Sequence, residues 1–288
     1  MWKRQPLGES LASARQFSLR GAEALQQENW GDAEGYFSEA LRQSGMDERA
    51  HWGYAEAMWV KGDRAAATRH MEEAVRLSGS NPDLSVRLGQ MQLEQGKLDE
   101  ASRHARIALE NNRRHPGAWA LEGDVLVAWQ RWDEALAAYH RALVYQPDFP
   151  AVQIAVAELY QGMDRPQRSL ATLDRLADQH ALDRMPVRAT WLRGEALASL
   201  GRTQEASQML DEAERRMGQN DVEMMLAIAK TRFRLGDMQK STELLARVDR
   251  IAPDDRNAAI LREQIQFASS EVTTAGLARQ VELQDKIR

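Results

Sequence analysis

Alanine returns every 34 residues through the first half of this chain, at Ala33, Ala67, Ala101 and Ala135. A second alanine follows each of these by seven residues, about two helical turns later and therefore on the same helix face. A period of this length is typical of stacked helical hairpins, in which each hairpin contacts only its neighbours. The sequence therefore predicts an all-α solenoid.

Small residues also recur twelve positions before these alanines, in the preceding helix: Gly21, Ala55, Gly89 and Gly123. Between the two alanines of a pair lies Phe37, Met71, Ala105 or Tyr139. Small side chains let two helices cross closely, so we expect each hairpin to pack at these points. A small residue in a first helix followed by A-x3-F in a second resembles the tetratricopeptide repeat.

The resemblance covers roughly nine tenths of the chain and implies a right-handed superhelical solenoid of about seven stacked helix-turn-helix repeats. A fifth repeat keeps the spacing, a sixth comes three residues late, and a seventh follows. We expect one elongated domain with no internal boundary. Its predicted parts are an N-terminal cap or extension (1–13), seven repeats (14–47, 48–81, 82–115, 116–149, 150–186, 187–221 and 222–255) and degenerate C-terminal capping helices (256–288).

Turn residues support this register. Glycine ends the first helix of four repeats, where it can adopt a left-handed conformation: Gly62, Gly96, Gly201 and Gly236. Aspartates such as Asp63 and Asp237 lie where the second helix should begin and can cap it. Ser10 is a candidate cap for the first helix. At the other end, Leu277, Val281 and Ile287 are an alternative docking stripe for a second subunit, and the oligomeric state stays open.

Composition narrows the classes of function. The formal net charge of −5 argues against nucleic acid as a partner, because a phosphate backbone requires a concentrated cationic face. The chain has no cysteine, which excludes thiolate metal sites and thiol nucleophiles. No apolar run approaches the roughly 20 residues of a membrane helix. We expect a cytoplasmic location, or a periplasmic one if a leader peptide precedes Met1 in the native gene.

Signatures of catalysis are absent from the sequence. It holds no Gly-rich phosphate loop, no H-E-x-x-H, no G-x-S-x-G and no calcium-loop pattern. His70 and His104 share one repeat position, and we interpret both as structural or surface residues. Adjacent carboxylates such as Asp99 and Glu100 fall at second-helix starts, where the helix dipole favours them. We predict no enzyme activity, no cofactor and no metal.

Function should therefore lie on a surface. In tetratricopeptide proteins the open face of the first helices lines a concave groove that holds a peptide, and the resemblance implies the same use here. The repeat register also predicts an apolar row on this face: Ser18, Trp52, Val86, Ala120, Ile154, Trp191 and Leu226. Acidic residues run beside aromatic ones there, so we expect a protein or peptide ligand with basic and apolar residues. The predicted groove residues are Trp52, Glu56, Trp59, Arg87, Gln90, Asp124, Glu158, Trp191, Glu195, Lys230 and Phe233.

Other interpretations of these residues and of the function stand beside this one. The tryptophans Trp52, Trp59 and Trp191 also fit a core between repeats, and the carboxylates also fit a solvated face. The predicted function is a non-catalytic scaffold for protein–protein interactions. The alternatives are a periplasmic or lipid-anchored assembly factor of a bacterial envelope complex, and a regulatory or targeting subunit of a separately encoded transferase.

Overall fold

A computed structural model describes residues 7–180 and 184–270, with only the backbone of residues 7–9. All regular elements within these ranges are α-helices. Helix α15 covers residues 256–270. The preceding helices are α1 (Leu7–Gln26), α2 (Trp30–Gln43), α3 (Glu48–Lys61), α4 (Arg64–Leu77), α5 (Pro82–Glu94), α6 (Leu98–Asn111), α7 (Pro116–Ala128), α8 (Trp132–Tyr145), α9 (Pro150–Gly162), α10 (Pro166–Gln179), α11 (Val187–Ser199), α12 (Thr203–Arg216), α13 (Val222–Arg234) and α14 (Met238–Ile251).

Consecutive helices pair into seven hairpins, from α1 with α2 to α13 with α14, so the predicted all-α repeat architecture is confirmed. Helix α1 already covers residues of the predicted N-terminal extension. Ser10 lies inside this helix, so the prediction that Ser10 caps it is wrong. The predicted stripe of Leu277, Val281 and Ile287 lies outside the described residues. None of the described helices has the length and apolar character that crossing a membrane requires.

The chain divides into two compact units, Met1–Phe149 and Pro150–Arg288, called here unit 1 and unit 2. The sequence predicts one array without an internal boundary, and the structure differs from that expectation. Hairpins of a repeat protein contact only their neighbours, so a boundary between two hairpins leaves each hairpin whole. The boundary lies shortly after Pro147, at the first residue of α9, so no helix crosses it.

Close helix crossings form the core of unit 1. The paired alanines predicted to meet there, Ala33 and Ala40 in the first hairpin, are fully buried. Phe37 is buried between two glycines: a Cβ atom on Gly21 would lie 2.7 Å from the Phe37 ring, and one on Gly53 would lie 2.1 Å from it. These distances leave no room for a methyl group, so glycine sets the closeness of the crossing.

Turns follow the predicted chemistry. Gly62 has a φ of 89° after α3, the left-handed conformation that glycine adopts at little steric cost. The side chain of Asp63 then accepts the amide N–H of Ala66 at 2.9 Å and caps α4. Asp237 caps α14 in the same way through Lys240. Each repeat therefore presents its first helix in a defined register, which fixes the residues on its open face.

Candidate partner-binding faces

An open cavity of about 650 Å³ lies among the first helices α1, α3 and α5 of unit 1, and we call it the unit 1 pocket. Leu19 on α1 and Trp52 on α3 line it, and they remain 55% and 38% exposed. Leu84 at the start of α5 adds a third apolar side chain. Exposed large apolar groups in a concavity are typical of a surface that binds another molecule.

A charged cluster holds α3 against α5 one turn beyond Trp52. Arg87 donates two hydrogen bonds to the carboxylate of Glu56, from Nε and Nη2, each 2.7 Å long. This bidentate bond raises the pKa of Arg87. The guanidinium carbon of Arg87 lies 5.9 Å from the ring centre of the buried Trp59, and that of Arg64 lies 3.8 Å from it. The predicted groove residues Glu56, Trp59 and Arg87 therefore form one interlocked cluster.

Two other predicted groove residues of unit 1, Asp124 and Gln90, are not part of this cluster's hydrogen bonds. Asp124 on α7 accepts a hydrogen bond from the hydroxyl of Tyr139 at 2.6 Å. Burial raises the pKa of Asp124, and the Tyr139 hydrogen bond offsets part of that effect. Gln90 on α5 is half-buried. Neither Gln90 nor Asp124 lines the unit 1 pocket.

Unit 2 has its own open cavity of about 670 Å³, formed by the first helices α11, α13 and α15 and called here the unit 2 pocket. Its apolar lining includes Trp191 on α11, Leu226 on α13 and Ile260 on α15. Ile260 is 45% exposed. Lys230 lies one turn after Leu226 on α13 and is also part of the lining.

A hydrogen-bonded chain fixes one wall of the unit 2 pocket. Trp191 Nε1 donates to the hydroxyl of Thr231 at 3.1 Å, and that hydroxyl donates to Glu195. Arg234 forms an ion pair with the same carboxylate. Phe233, by contrast, packs against the core of unit 2 and is not part of the pocket lining.

Three of the four acidic residues of the predicted groove stripe, Glu56, Glu158 and Glu195, pair with arginines of this chain. Glu56 pairs with Arg87, and Glu195 pairs with Arg234. Glu158 pairs with Arg188, which also lies 2.8 Å from Glu223. The stripe is therefore not a row of open carboxylates. The assignment of these residues to partner binding stays a prediction.

Sequence reasoning placed several core residues on the open face and missed two exposed ones. Ser18 of the predicted apolar row is buried and donates a hydrogen bond to Asp47 at 2.8 Å, and it also contributes to the lining of the unit 1 pocket. Val86 and Ile154 of the same row are also buried. Leu19 and Ile260 were missed. Leu19 follows Ser18 directly, so shifting the register by one residue toward the apolar side chain would have found it.

Two histidines of unit 1 approach each other between α3 and α4. The Nδ1 atoms of His51 and His70 lie 3.0 Å apart, and Nε2 of His51 contacts the carbonyl of Gly45 at 3.2 Å. Burial lowers the pKa of His70, and the neighbouring His51 lowers it further. Within the ranges that the structure describes, no cluster of three or more potential metal ligands occurs.

Comparisons with known proteins agree with this architecture. A family profile described as a tetratricopeptide repeat-like domain matches residues 2–161, and a second, a tetratricopeptide repeat, matches residues 154–221. A comparison with curated sequences found no significant match.

Among solved structures, a tetratricopeptide repeat protein from Parabacteroides merdae is 20% identical, covers 80% of this chain and 90% of its own, and has a TM-score of 0.61. PilF of Pseudomonas aeruginosa is 15% identical over 90% of this chain and 99% of its own, with a TM-score of 0.53. PilW, a widely conserved type IV pilus biogenesis factor, is 14% identical over 71% of this chain and 93% of its own, with a TM-score of 0.64. Such identities support the fold alone. Since the first profile spans more than half of the sequence, the chain belongs to the tetratricopeptide repeat-like family.

Proposed function

We propose that this protein is a non-catalytic scaffold that holds a segment of a partner protein in the unit 1 pocket. The tetratricopeptide fold points to a protein–protein interaction scaffold, and proteins of the family are generally non-catalytic. The observation that carries the proposal is the exposure of Trp52 and Leu19 side by side in one concavity of unit 1.

Trp52 suits the role of a central anchor. Tryptophan offers a large apolar surface at a small entropic cost, and it is enriched among interface residues whose truncation costs most binding energy. The Glu56–Arg87 ion pair lies one turn further along α3 and holds α3 and α5 in register before a partner arrives. Such preorganisation reduces the ordering cost of binding.

The chemistry expected of the partner follows from the apolar lining, because Glu56 of the predicted acidic residues does not line the unit 1 pocket. Glu56 already has an arginine of this chain as its partner, so a basic ligand would have to displace it. The sequence-based preference for a basic ligand is therefore not part of this proposal. Apolar side chains that cover Leu19, Trp52 and Leu84 are the expected anchors of the partner segment.

A substitution at Trp52 tests the proposal. Affinity capture followed by mass spectrometry compares the wild type with Trp52→Ser, and Trp132→Ser is the matched control. Trp132 is 42% exposed on α8 and lies outside the pocket. Proteins retained by the wild type and by Trp132→Ser but lost from Trp52→Ser are the expected partners. Purified partners should then bind Trp52→Ser about tenfold more weakly or worse, which corresponds to about 1.4 kcal/mol.

Equal capture by all three proteins, each with an unchanged helical circular dichroism spectrum, would contradict the assignment of the unit 1 pocket. Loss from both variants would instead indicate a general surface effect and would equally count against the pocket.

More specific roles depend on where the chain works. Cell fractionation that places it in the periplasm or on a membrane would favour the envelope assembly factor, and a co-purifying transferase activity would favour the targeting subunit. A cytoplasmic chain without such activity fits the adaptor role that we propose.

A further inference from the structure

Several charged side chains that line the unit 2 pocket pair with other charged residues of this chain. Glu195 pairs with Arg234, and both belong to the lining. Glu223 lies 2.8 Å from Arg188, which approaches it from α11. Glu195 and Arg234 therefore present little net charge to a ligand, whereas Glu223 shares Arg188 with Glu158 and is only partly compensated.

The two remaining charged groups of the lining differ from each other. Asp255 accepts the amide N–H of Ala258 at 2.9 Å and caps the start of α15, where the positive end of the helix dipole offsets its charge. Lys230 is exposed and has no carboxylate partner among the residues that the structure describes. Lys230 thus presents an unpaired ammonium group to the pocket.

We propose that the unit 2 pocket binds an extended protein segment that places an Asp or Glu side chain on Lys230 and an aliphatic side chain between Leu226 and Ile260. This inference rests on one part of the proposed function, namely that the open faces of the first helices bind protein segments. The ammonium group attracts the carboxylate and sets the register, while the apolar contact supplies most of the affinity.

The spacing of the two contacts is set by α13. Leu226 and Lys230 are four residues apart on the same helix face, so their positions differ by about 6 Å along the axis. In an extended segment, residues i and i+2 point to the same side and lie about 6.6 Å apart. The matching pattern is therefore an aliphatic residue and an acidic residue separated by one residue.

The wall beside these contacts is rigid. The indole of Trp191 is hydrogen-bonded through Thr231 to Glu195, which is itself held by Arg234. A side chain fixed in this way loses little freedom when a ligand covers it. The indole N–H of Trp191 also offers a spectroscopic probe inside the pocket, because a ligand in contact with the ring shifts its NMR resonance.

Random heptapeptides displayed on phage as N-terminal fusions test the proposal on the full-length chain. These peptides have no free C-terminal carboxylate, so only side chains can supply the acid. We expect wild-type selections to be enriched in peptides with the aliphatic-x-acidic pattern, and selections on Lys230→Glu to lose that enrichment. A selected peptide, made with an amidated C-terminus, should shift the Trp191 indole resonance.

Binding measurements with that peptide provide the matched control. Lys230→Glu should weaken binding at least fivefold, whereas Arg250→Glu should change it less than twofold. Arg250 is exposed on α14 outside the pocket, and both variants change the net charge equally. Replacing the acidic residue of the peptide by its amide should weaken binding to the wild type and strengthen binding to Lys230→Glu, because it removes a like-charge repulsion in that variant.

Selections without acidic enrichment, or equal weakening by both variants, would overturn the proposal. So would a peptide that fails to bind Trp52→Ser, because it would then occupy the unit 1 pocket. These outcomes leave the proposed function in place whenever Trp52→Ser still loses its partner protein. Loss of the Trp52 effect alone would remove the unit 1 pocket without changing the peptide result.

Discussion

One repeat position is filled by opposite chemistry in the two units. Leu126 in unit 1 and Arg232 in unit 2 each lie three residues after the small residue of a first helix, Gly123 or Ala229. Both side chains are buried, and Arg232 is completely so. The repeat register thus determines that the side chain at this position is buried. It does not determine whether that side chain is apolar or charged.

Arg232 is accommodated because the second helices of unit 2 supply carboxylates. Its Nη2 atom lies 2.5 Å from Asp211 and 3.5 Å from Glu214, and its Nη1 atom lies 3.3 Å from Asp237. Lys240 shares Asp211 at 2.7 Å. A buried guanidinium is tolerated only when it is paired and hydrogen-bonded. The comparison teaches that a shared helix register permits either an apolar or an ionic core.

Among the substitutions that test this comparison, truncation of Arg232 should change the free energy of unfolding most. Arg232→Ala removes the cation, leaves its carboxylates without their partner and opens a cavity, so we expect the free energy of unfolding to fall by about 3–5 kcal/mol. Arg232→Leu recreates the side chain of Leu126 and should cost less, because it fills space and the carboxylates are partly exposed. Chemical denaturation followed by circular dichroism measures both values.

Leu126→Ala is the reference in unit 1, with an expected loss of about 2–5 kcal/mol from the removed apolar contacts and the cavity left behind. If Arg232→Ala cost less than about 1 kcal/mol, the buried ion network would contribute little and the contrast between the units would disappear.

Much of the fold follows from the sequence because the 34-residue phase determines which small residues meet. Ala33 and Ala40 are buried at their crossing as predicted, and Gly62 adopts its left-handed conformation. These outcomes depend on contacts within one hairpin, where sequence spacing determines distance. The division between the units after Phe149 was not predictable in this way, since the 34-residue spacing continues unchanged from the fourth repeat into the fifth.

The candidate sites were less predictable because they depend on pairing between hairpins. The register places Glu56 and Arg87 on the same face, but it does not reveal that the two close on each other. Arg232 shows the same limit: an arginine in a helix is usually exposed, and only the carboxylates of neighbouring helices explain its burial. A search for oppositely charged residues about one repeat apart would have found the first pair.

A methyl group added at Gly53 should have an intermediate effect on the free energy of unfolding. It tests the apolar core of unit 1. Gly53→Ala would place its Cβ 2.1 Å from the Phe37 ring, so overpacking should lower the free energy of unfolding by about 1–3 kcal/mol. Gly35→Ala on α2 is the control, because its added Cβ meets no atom within 4 Å beyond its chain neighbours and the local helix backbone. It should stabilise the helix by about 0.5–1 kcal/mol.

The double variant Gly53→Ala with Phe37→Leu should recover part of the loss, since a smaller side chain vacates the contact. A Gly53→Ala protein as stable as the wild type would show that the crossing can relax, and glycine would then not set the helix separation.

The smallest expected effect is a change in acid sensitivity, and it tests the ionic core around Arg232 in unit 2. Burial disfavours ionisation of Asp211, but hydrogen bonds from Lys240 and Arg232 outweigh it and lower the pKa of this carboxyl. A carboxyl whose pKa is lower in the folded state stabilises the fold above the unfolded pKa of about 3.9, and this contribution is lost as the pH falls through the folded value. Melting temperatures between pH 6 and pH 3 should therefore fall less steeply for Arg232→Leu than for the wild type. Gly53→Ala should retain the wild-type slope because its defect carries no charge, and parallel slopes for all three proteins would mean that Arg232 does not hold the Asp211 pKa down.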